Sequence, residues 1–182
     1  MGRFFRWTVL ALVVVIVTGT VILVITVRPG LQDDAQEVRR TWKPLLQPLA
    51  ARYIALGGVE TQLEAVGNGD RELTKELKRT LSDWQLLLAT NDAATQAETA
   101  NKLEGFASRV DATVRGSDRL RANVGLNQSL AAFYAAKIPA KGHTEYNDTV
   151  LNYQRNRSGI LRGIVAKLDG YDAHPTLQLA NG

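Results

Sequence analysis

Residues 145–153 read EYNDTVLNY, and the spacing of their apolar side chains is that of a helix with one buried face. Tyr146, Val150 and Tyr153 recur at intervals of four and three residues, which places them on the same side of an α-helix. A buried tyrosine packs its ring among apolar neighbours and keeps a hydrogen bond for its hydroxyl. The stretch therefore predicts a helical stripe that faces a core.

The same helical spacing recurs in four other segments and continues from Tyr153 to Ile160. The four stripes are Leu45/Leu49/Tyr53/Leu56, Leu73/Leu77/Leu81/Trp84, Leu103/Phe106/Val110/Val114 and Leu126/Leu130/Phe133. No stretch after residue 30 shows the sustained alternation that is typical of strands. Because each stripe must be buried against another element, the sequence predicts an all-α fold, with an up-and-down antiparallel bundle of long helices over residues 29–172.

Turn and cap residues divide the bundle. GNGD at 67–70 ends in Asp70, TND at 90–92 ends in Asp92, and Ser117 follows a glycine, so each of these three polar residues is a candidate helix N-cap. Residues 173–182 follow the last stripe and are predicted to form a flexible tail.

Prolines predict two breaks within the bundle. Pro44 and Pro48 favour an interruption near 44–48, since a proline inside a helix removes a hydrogen bond and clashes with the preceding turn. KIPAKGH at 137–143 predicts a second break, which leaves two helical pieces between Asn123 and Asp169.

The first 28 residues form a separate apolar block. From Trp7 to Val27 the chain carries no charge, and at about 1.5 Å per residue this run spans about 31 Å as a helix. That length matches the hydrocarbon core of a bilayer, so residues 1–28 are predicted to be a membrane anchor with a short basic N-terminus, and residues 7–27 to contact lipid. Pro29 and Gly30 are expected to end this helix. A cleaved signal peptide is the alternative, but the run is long for one and no small-x-small cleavage site follows it.

The basic residues on the two sides of the apolar run are nearly equal in number, so the positive-inside rule favours neither orientation strongly. A short basic N-terminus directly before the span is typical of a signal-anchor. We therefore predict a single-pass protein of the cell membrane whose C-terminal domain lies on the outer face.

Composition excludes several classes of function. Lys plus Arg is 22 and Asp plus Glu is 18; with Arg3 and Arg6 in the apolar block, the rest of the chain carries 20 − 18 = +2. This small surplus is interleaved with acids and indicates no nucleic-acid partner. The chain has no cysteine, which rules out disulfides and thiolate nucleophiles.

No pattern of residues predicts a catalytic, cofactor-binding or metal site. His143 and His174 are the only histidines, and both are expected in surface loops. The acid pairs Asp33–Asp34 and Asp169…Asp172 are expected to be solvated charges. The sequence therefore predicts a protein that is not an enzyme.

Several segments together resemble the LemA family of membrane-anchored helical proteins. They are YNDTVLNYQ, GIVAKLDGY and HPTLQL near the C-terminus, SDRLRANVGLNQSLAAF at 117–133, and LAARYIALGGVETQLEAV. The chain departs from the family pattern at Gln154, at Leu161 and at Gly57–Gly58, as a divergent member would. The resemblance implies a bundle of long helices on a single N-terminal anchor, while the biochemical role of the family is poorly defined.

The leading functional hypothesis is a non-enzymatic interaction or scaffold module that captures a membrane or envelope protein. Asn123, Tyr146, Asn147 and Tyr153 are the candidate residues. Either they lie in the core and at helix junctions, or together they form a polar groove that receives a peptide. The alternatives are a structural homo-oligomer and an envelope enzyme that uses carboxylates alone.

Overall fold

The computed structural model describes residues 2–67 and 71–180, without the side chains at positions 2–6, 8–13, 15–17, 19–24 and 161. These residues form helices and irregular links with no strand among them, which confirms the all-α prediction. The helices are α1 (Gly2–Trp42), α2 (Leu46–Val66), α3 (Arg71–Leu87), α4 (Ala93–Arg115), α5 (Asp118–Arg121), α6 (Val124–Ala135), α7 (Ala140–Arg157) and α8 (Ile160–Leu168).

Helices α1 and α2 follow one another with only a 3-10 turn, Lys43–Leu45, between them. Pro44 lies in this turn. Pro48 lies in the first turn of α2, where a backbone N–H has no partner within the helix and its absence costs little. The predicted interruption near residues 44–48 is confirmed.

The prediction that Pro29 and Gly30 end the first helix is wrong, because α1 continues through them to Trp42. A proline inside a helix costs about 3 kcal/mol. Beyond it, Leu31, Val38 and Trp42 are fully buried, and burial of each such side chain stabilises the fold by about 1.5–3 kcal/mol. Their combined burial outweighs the interruption at Pro29.

Neighbouring helices run antiparallel. Along α1 and α7, Asp34 accepts a hydrogen bond from Asn156 at 2.9 Å, and further on Arg40 lies 3.7 Å from Glu145. Helices α2 and α6 are also antiparallel, because Gly58 lies beside Ser129 and Gln62 lies beside Gly125. α3 and α4 lie against each other and against α2, so the described helices form a bundle.

The apolar stripes lie in one core, apart from the last residue of the last stripe. Tyr146, Val150 and Tyr153 are buried, but Ile160 is 85% exposed. α7 ends at Arg157, and Ser158 and Gly159 separate it from α8, so the helical phase is lost there. The region from Asn123 to Asp169 therefore contains three helices instead of the predicted two.

The predicted breaks and caps have mixed outcomes. Asp92 caps α4 by accepting a bond from Thr95, and Ser117 caps α5. The break at 137–143 is confirmed but shorter than predicted, because α7 already begins at Ala140. Asp70 lies outside the described residues.

Residues 173–180, within the segment 173–182 that was predicted to be a flexible tail, pack against the bundle. Gly170 turns the chain with a φ of +71°, and Tyr171 donates its backbone N–H to Ala166 at 2.8 Å. This reversal after α8 directs the following residues back along α7. Leu177 is 1% exposed and belongs to the main core, and His174 is 8% exposed.

Within the part of the chain described here, no helix is both long and apolar enough to cross a bilayer. Most side chains of the predicted span 7–27 lie outside the described set. The membrane anchor therefore stays a prediction.

Candidate functional site: a groove that holds a non-helical segment

Residues 171–180, which we call the tail segment, lie without helix or strand along α7 and α4. The surface that receives them is the tail groove. Two phenols of α7 donate to the tail: Tyr153 to the carbonyl of Asp172 and Tyr146 to that of Pro175, each at 2.8 Å. The segment thus runs antiparallel to α7, and its backbone is held by side chains of that helix.

Asn147 makes the most complete contact with the tail backbone. Its amide nitrogen donates to the carbonyl of Leu177 at 3.0 Å, and its oxygen accepts the N–H of Leu177 at 2.8 Å. His143 Nε2 lies 2.9 Å from the same carbonyl. One side chain therefore satisfies both backbone groups of Leu177, as a neighbouring strand would in a sheet.

The opposite wall of the groove comes from α4. Asn101 donates to the carbonyl of Thr176 at 2.7 Å and accepts the N–H of Gln178 at 2.8 Å. Gln154 on α7 donates to the carbonyl of His174 at 2.7 Å. All these bonds are made to backbone groups, so they do not depend on which side chains the bound segment carries.

Leu177 and His174 are the tail side chains that are buried in the groove. Leu177 enters the main core, while the ring of His174 lies edge-on against Tyr153 with the centroids 5.3 Å apart. Burial, followed by the charge of Arg39, lowers the pKa of His174. Its Nδ1 has no hydrogen-bond partner among the described residues. Protonation of this ring is therefore disfavoured in the folded protein.

The far end of the groove is a buried ion pair. Arg52 and Glu104 meet through two hydrogen bonds of 2.7 and 2.9 Å, and both side chains are almost fully buried. Glu104 also accepts the N–H of Ala180 at 2.8 Å, and Arg52 donates to the Ala180 carbonyl at 3.3 Å. The guanidinium stacks on Phe133 at 3.9 Å. The pair thus joins α2, α4, α6 and the tail segment.

Burial raises the pKa of both groove phenols, Tyr146 and Tyr153, which keeps them protonated as donors. Tyr146 also packs on Trp42, with centroids 4.8 Å apart. The Trp42 indole in turn donates to Gln96 at 2.7 Å, and Gln96 donates to the carbonyl of Leu87 at 2.8 Å. The groove is therefore supported by a bonded network that reaches the α3–α4 turn.

Three of the four predicted interaction residues meet in the groove: Tyr146, Asn147 and Tyr153. The fourth, Asn123, lies elsewhere and caps α6 by accepting the N–H of Leu126 at 2.8 Å. Asn123 therefore bonds to backbone at a helix junction and does not meet the other three residues in the tail groove.

Sequence reasoning did not identify several groove residues: Arg52, Asn101, Glu104, His143, Gln154 and His174. Glu104 follows Leu103 in an apolar stripe, and Arg52 precedes Tyr53 in another. A charge on a buried helix face was the available signal for this pair. His143 lies in the first turn of α7 and His174 is buried, so the expectation of two surface-loop histidines is wrong.

The acidic residues considered for catalysis do not converge. Asp34 bonds to Asn156, Asp33 is exposed, and Asp169 pairs with Arg28 at 3.2 Å. Across the described residues, no group of three His, Cys, Asp or Glu side chains could hold a metal ion. The arrangement can bind a peptide backbone, and it offers no assembled set of acid and base groups on these residues.

No family model matches the chain, and comparison with curated proteins and with solved structures gives no match either.

Proposed function

We propose that this chain is a membrane-anchored, non-enzymatic interaction module that holds a non-helical peptide segment in the tail groove. The observation that carries the proposal is the paired contact of Asn147 and Asn101 with the backbone of residues 176–178. Backbone bonds provide affinity for any segment of suitable shape, and pockets provide selectivity. A partner segment needs an apolar side chain such as leucine to replace Leu177.

The tail segment competes with such a partner. It is attached to the same domain through α8, and a short link of this kind gives an effective concentration in the millimolar range. A weak ligand therefore cannot displace the tail, and a partner that binds tightly can. The tail segment sets the affinity threshold for capture.

The membrane anchor restricts which partners the groove can meet. In this proposal residues 7–27 cross the cell membrane and the bundle lies on its outer face, so the partner is a membrane or envelope protein. The uncharged run from Trp7 to Val27 supports the anchor, and the resemblance to the LemA family supports both the anchor and the bundle.

The test uses a fluorescent peptide with the sequence of residues 171–180, YDAHPTLQLA. Its anisotropy is measured with the full chain and with a chain that ends at residue 170, both in detergent. We expect saturable binding to the shortened chain and none to the full chain, whose groove is filled. Circular dichroism establishes that the shortened chain keeps its helices.

Two asparagines of α7 provide the matched control. Asn147→Ala removes both bonds to Leu177, and we expect it to abolish peptide binding to the shortened chain. Asn152 is exposed on the same helix, and Asn152→Ala should leave binding unchanged. Absence of saturable binding to a folded shortened chain overturns the proposal, and so does equal binding to the full chain.

A further inference from the structure

Helix α8 has an unpartnered apolar face. Ile160, Ile164 and Leu168 are 85%, 52% and 72% exposed, and their spacing of four residues aligns them along one side of the helix. On the other side Val165 and Ala166 are buried. The helix therefore has one apolar side inside the protein and a second apolar stripe that is left uncovered.

The position of α8 is fixed against the membrane-proximal part of α1. Val165 and Ala166 pack with Leu31 and Val27, and Arg28 pairs with Asp169 at the end of α8. Val27 is the last residue of the uncharged run. An exposed apolar stripe thus lies at the level where α1 would leave the bilayer.

Charged side chains accompany this stripe. Arg162 and Lys167 are exposed on α8, and Arg155 is exposed near the end of α7. Long basic side chains at this level extend to lipid headgroups while apolar neighbours enter the acyl region. Among the described residues outside α1, other exposed large apolar side chains, such as Ile54 on α2, form no comparable stripe beside basic residues.

We infer that α8 is an interfacial membrane helix, with Ile160, Ile164 and Leu168 inserted at the boundary between headgroups and acyl chains. This inference rests on the proposed membrane anchor. Because α8 packs on α1, the insertion fixes the orientation of the bundle relative to the membrane surface, and it keeps the start of the tail segment next to the bilayer.

A second copy of the chain is a poorer occupant of this face. Stable protein interfaces bury about 800 Å² on each partner. Three side chains on a nine-residue helix supply much less than that. A bilayer has no such requirement, since each apolar group gains free energy as it enters the membrane.

The absence of cysteine allows single-cysteine labelling to test the inference. The full chain carrying Ile164→Cys is labelled with the fluorophore NBD and placed in vesicles of phosphatidylcholine and phosphatidylglycerol that contain nitroxide-labelled acyl chains. Ile54→Cys, 77% exposed on α2, is the control for a site in water. Val14→Cys lies in the proposed span and is the control for the anchor.

We expect quenching at position 164 to be several-fold greater than at position 54, together with strong quenching at position 14. Serine at both Ile160 and Leu168 should then reduce the quenching at 164. Quenching at 14 with none at 164 overturns the interfacial helix and leaves the anchor standing. Absence of quenching at both 14 and 164 overturns the interfacial helix and the membrane anchor together. If the NBD emission at 164 shifts with protein concentration and not with lipid, the apolar face of α8 contacts a second copy of the chain, and the interfacial helix is overturned.

Discussion

Arg52 and Glu104 are charged side chains with almost no exposure to solvent, and each hydrogen-bonds to the backbone of the tail segment. Burial of two ions is costly, and the cost is offset only when both are paired and their remaining donors and acceptors are bonded. Here Arg52 also donates to the carbonyls of Phe133 and Ala136 at the end of α6. The pair therefore connects α2, α4, α6 and the tail segment at one point.

Removal of the Glu104 carboxylate should leave Arg52 as an uncompensated buried charge. We expect Glu104→Ala to lower the free energy of unfolding by about 3–5 kcal/mol, as measured by urea titration in detergent. The matched control is Glu98→Ala, because Glu98 pairs with Lys102 on the exposed side of α4. That change should cost about 0.5 kcal/mol or less. If the free energy of unfolding falls by a similar amount in the two variants, the buried Arg52–Glu104 pair contributes no more to stability than an exposed pair does.

His174 couples the tail segment to pH. The ring is packed against Tyr153, and the charged groups around it are Arg39 on α1, Asp92 before α4, Arg157 on α7 and Asp172 on the tail itself. Burial lowers the pKa of His174 below its unfolded value of about 6.5, so the unfolded chain binds a proton more readily than the folded one. Stability from the neutral ring is therefore complete above about pH 6.5 and is lost as the pH falls towards the folded pKa.

We expect the free energy of unfolding to be lower at about pH 5.5 than at about pH 7.5, and this difference to shrink in His174→Gln. The tail segment should also become more sensitive to protease at the lower pH in the native chain alone. Carboxylates remote from His174 contribute equally to both proteins, so the difference between them reports the histidine together with its neighbours Asp92 and Asp172. An unchanged pH difference in His174→Gln would contradict the assignment.

At the scale of single elements, periodicity and caps predicted most of the helices. Asp92 and Ser117 were predicted as caps because a short polar side chain before an apolar stripe bonds to an unpaired backbone N–H. The continuation of α1 through Pro29 could not be read in this way, since it depends on long-range packing of Leu31 and Val38. The break at Ser158–Gly159 lacks a proline and was likewise missed.

Two glycines of α2 test the local energetics of an element. Gly57 lies inside the helix, and a methyl group added there would meet no atom within 4 Å, so Gly57→Ala should stabilise the protein by about 0.5–1 kcal/mol through reduced backbone entropy in the unfolded chain. Gly67 ends the same helix with a φ of +67°, and Gly67→Ala should cost about 1–2 kcal/mol. Thermal unfolding followed by circular dichroism measures both. We expect Gly57→Ala to raise the unfolding temperature and Gly67→Ala to lower it. A change in the same direction for both variants would contradict the different roles given to the two glycines.

For the whole molecule, sequence reasoning identified the tail groove in part and its occupant not at all. Tyr146, Asn147 and Tyr153 were recognisable because they share one helix at close spacing. Leu177 is the tail residue that is buried in the main core, and Tyr171, Leu179 and Ala180 pack partly buried against it. This short set shows no sustained helical or strand period in the sequence. The docking of the tail depends on side-chain bonds between residues 14 to 128 positions apart, which no local pattern records.

The proposed placement of the whole molecule predicts that the bundle is accessible from outside intact cells. Gln85 is exposed on α3, so Gln85→Cys in this cysteine-free chain should react with a membrane-impermeant maleimide without lysis. Gly2→Cys, on the other side of the proposed span, should react only after lysis. The reverse pattern would place the groove in the cytoplasm and redirect the partner search there. Labelling of both positions in intact cells would contradict a crossing by residues 7–27, because a single span separates its two flanks by the bilayer.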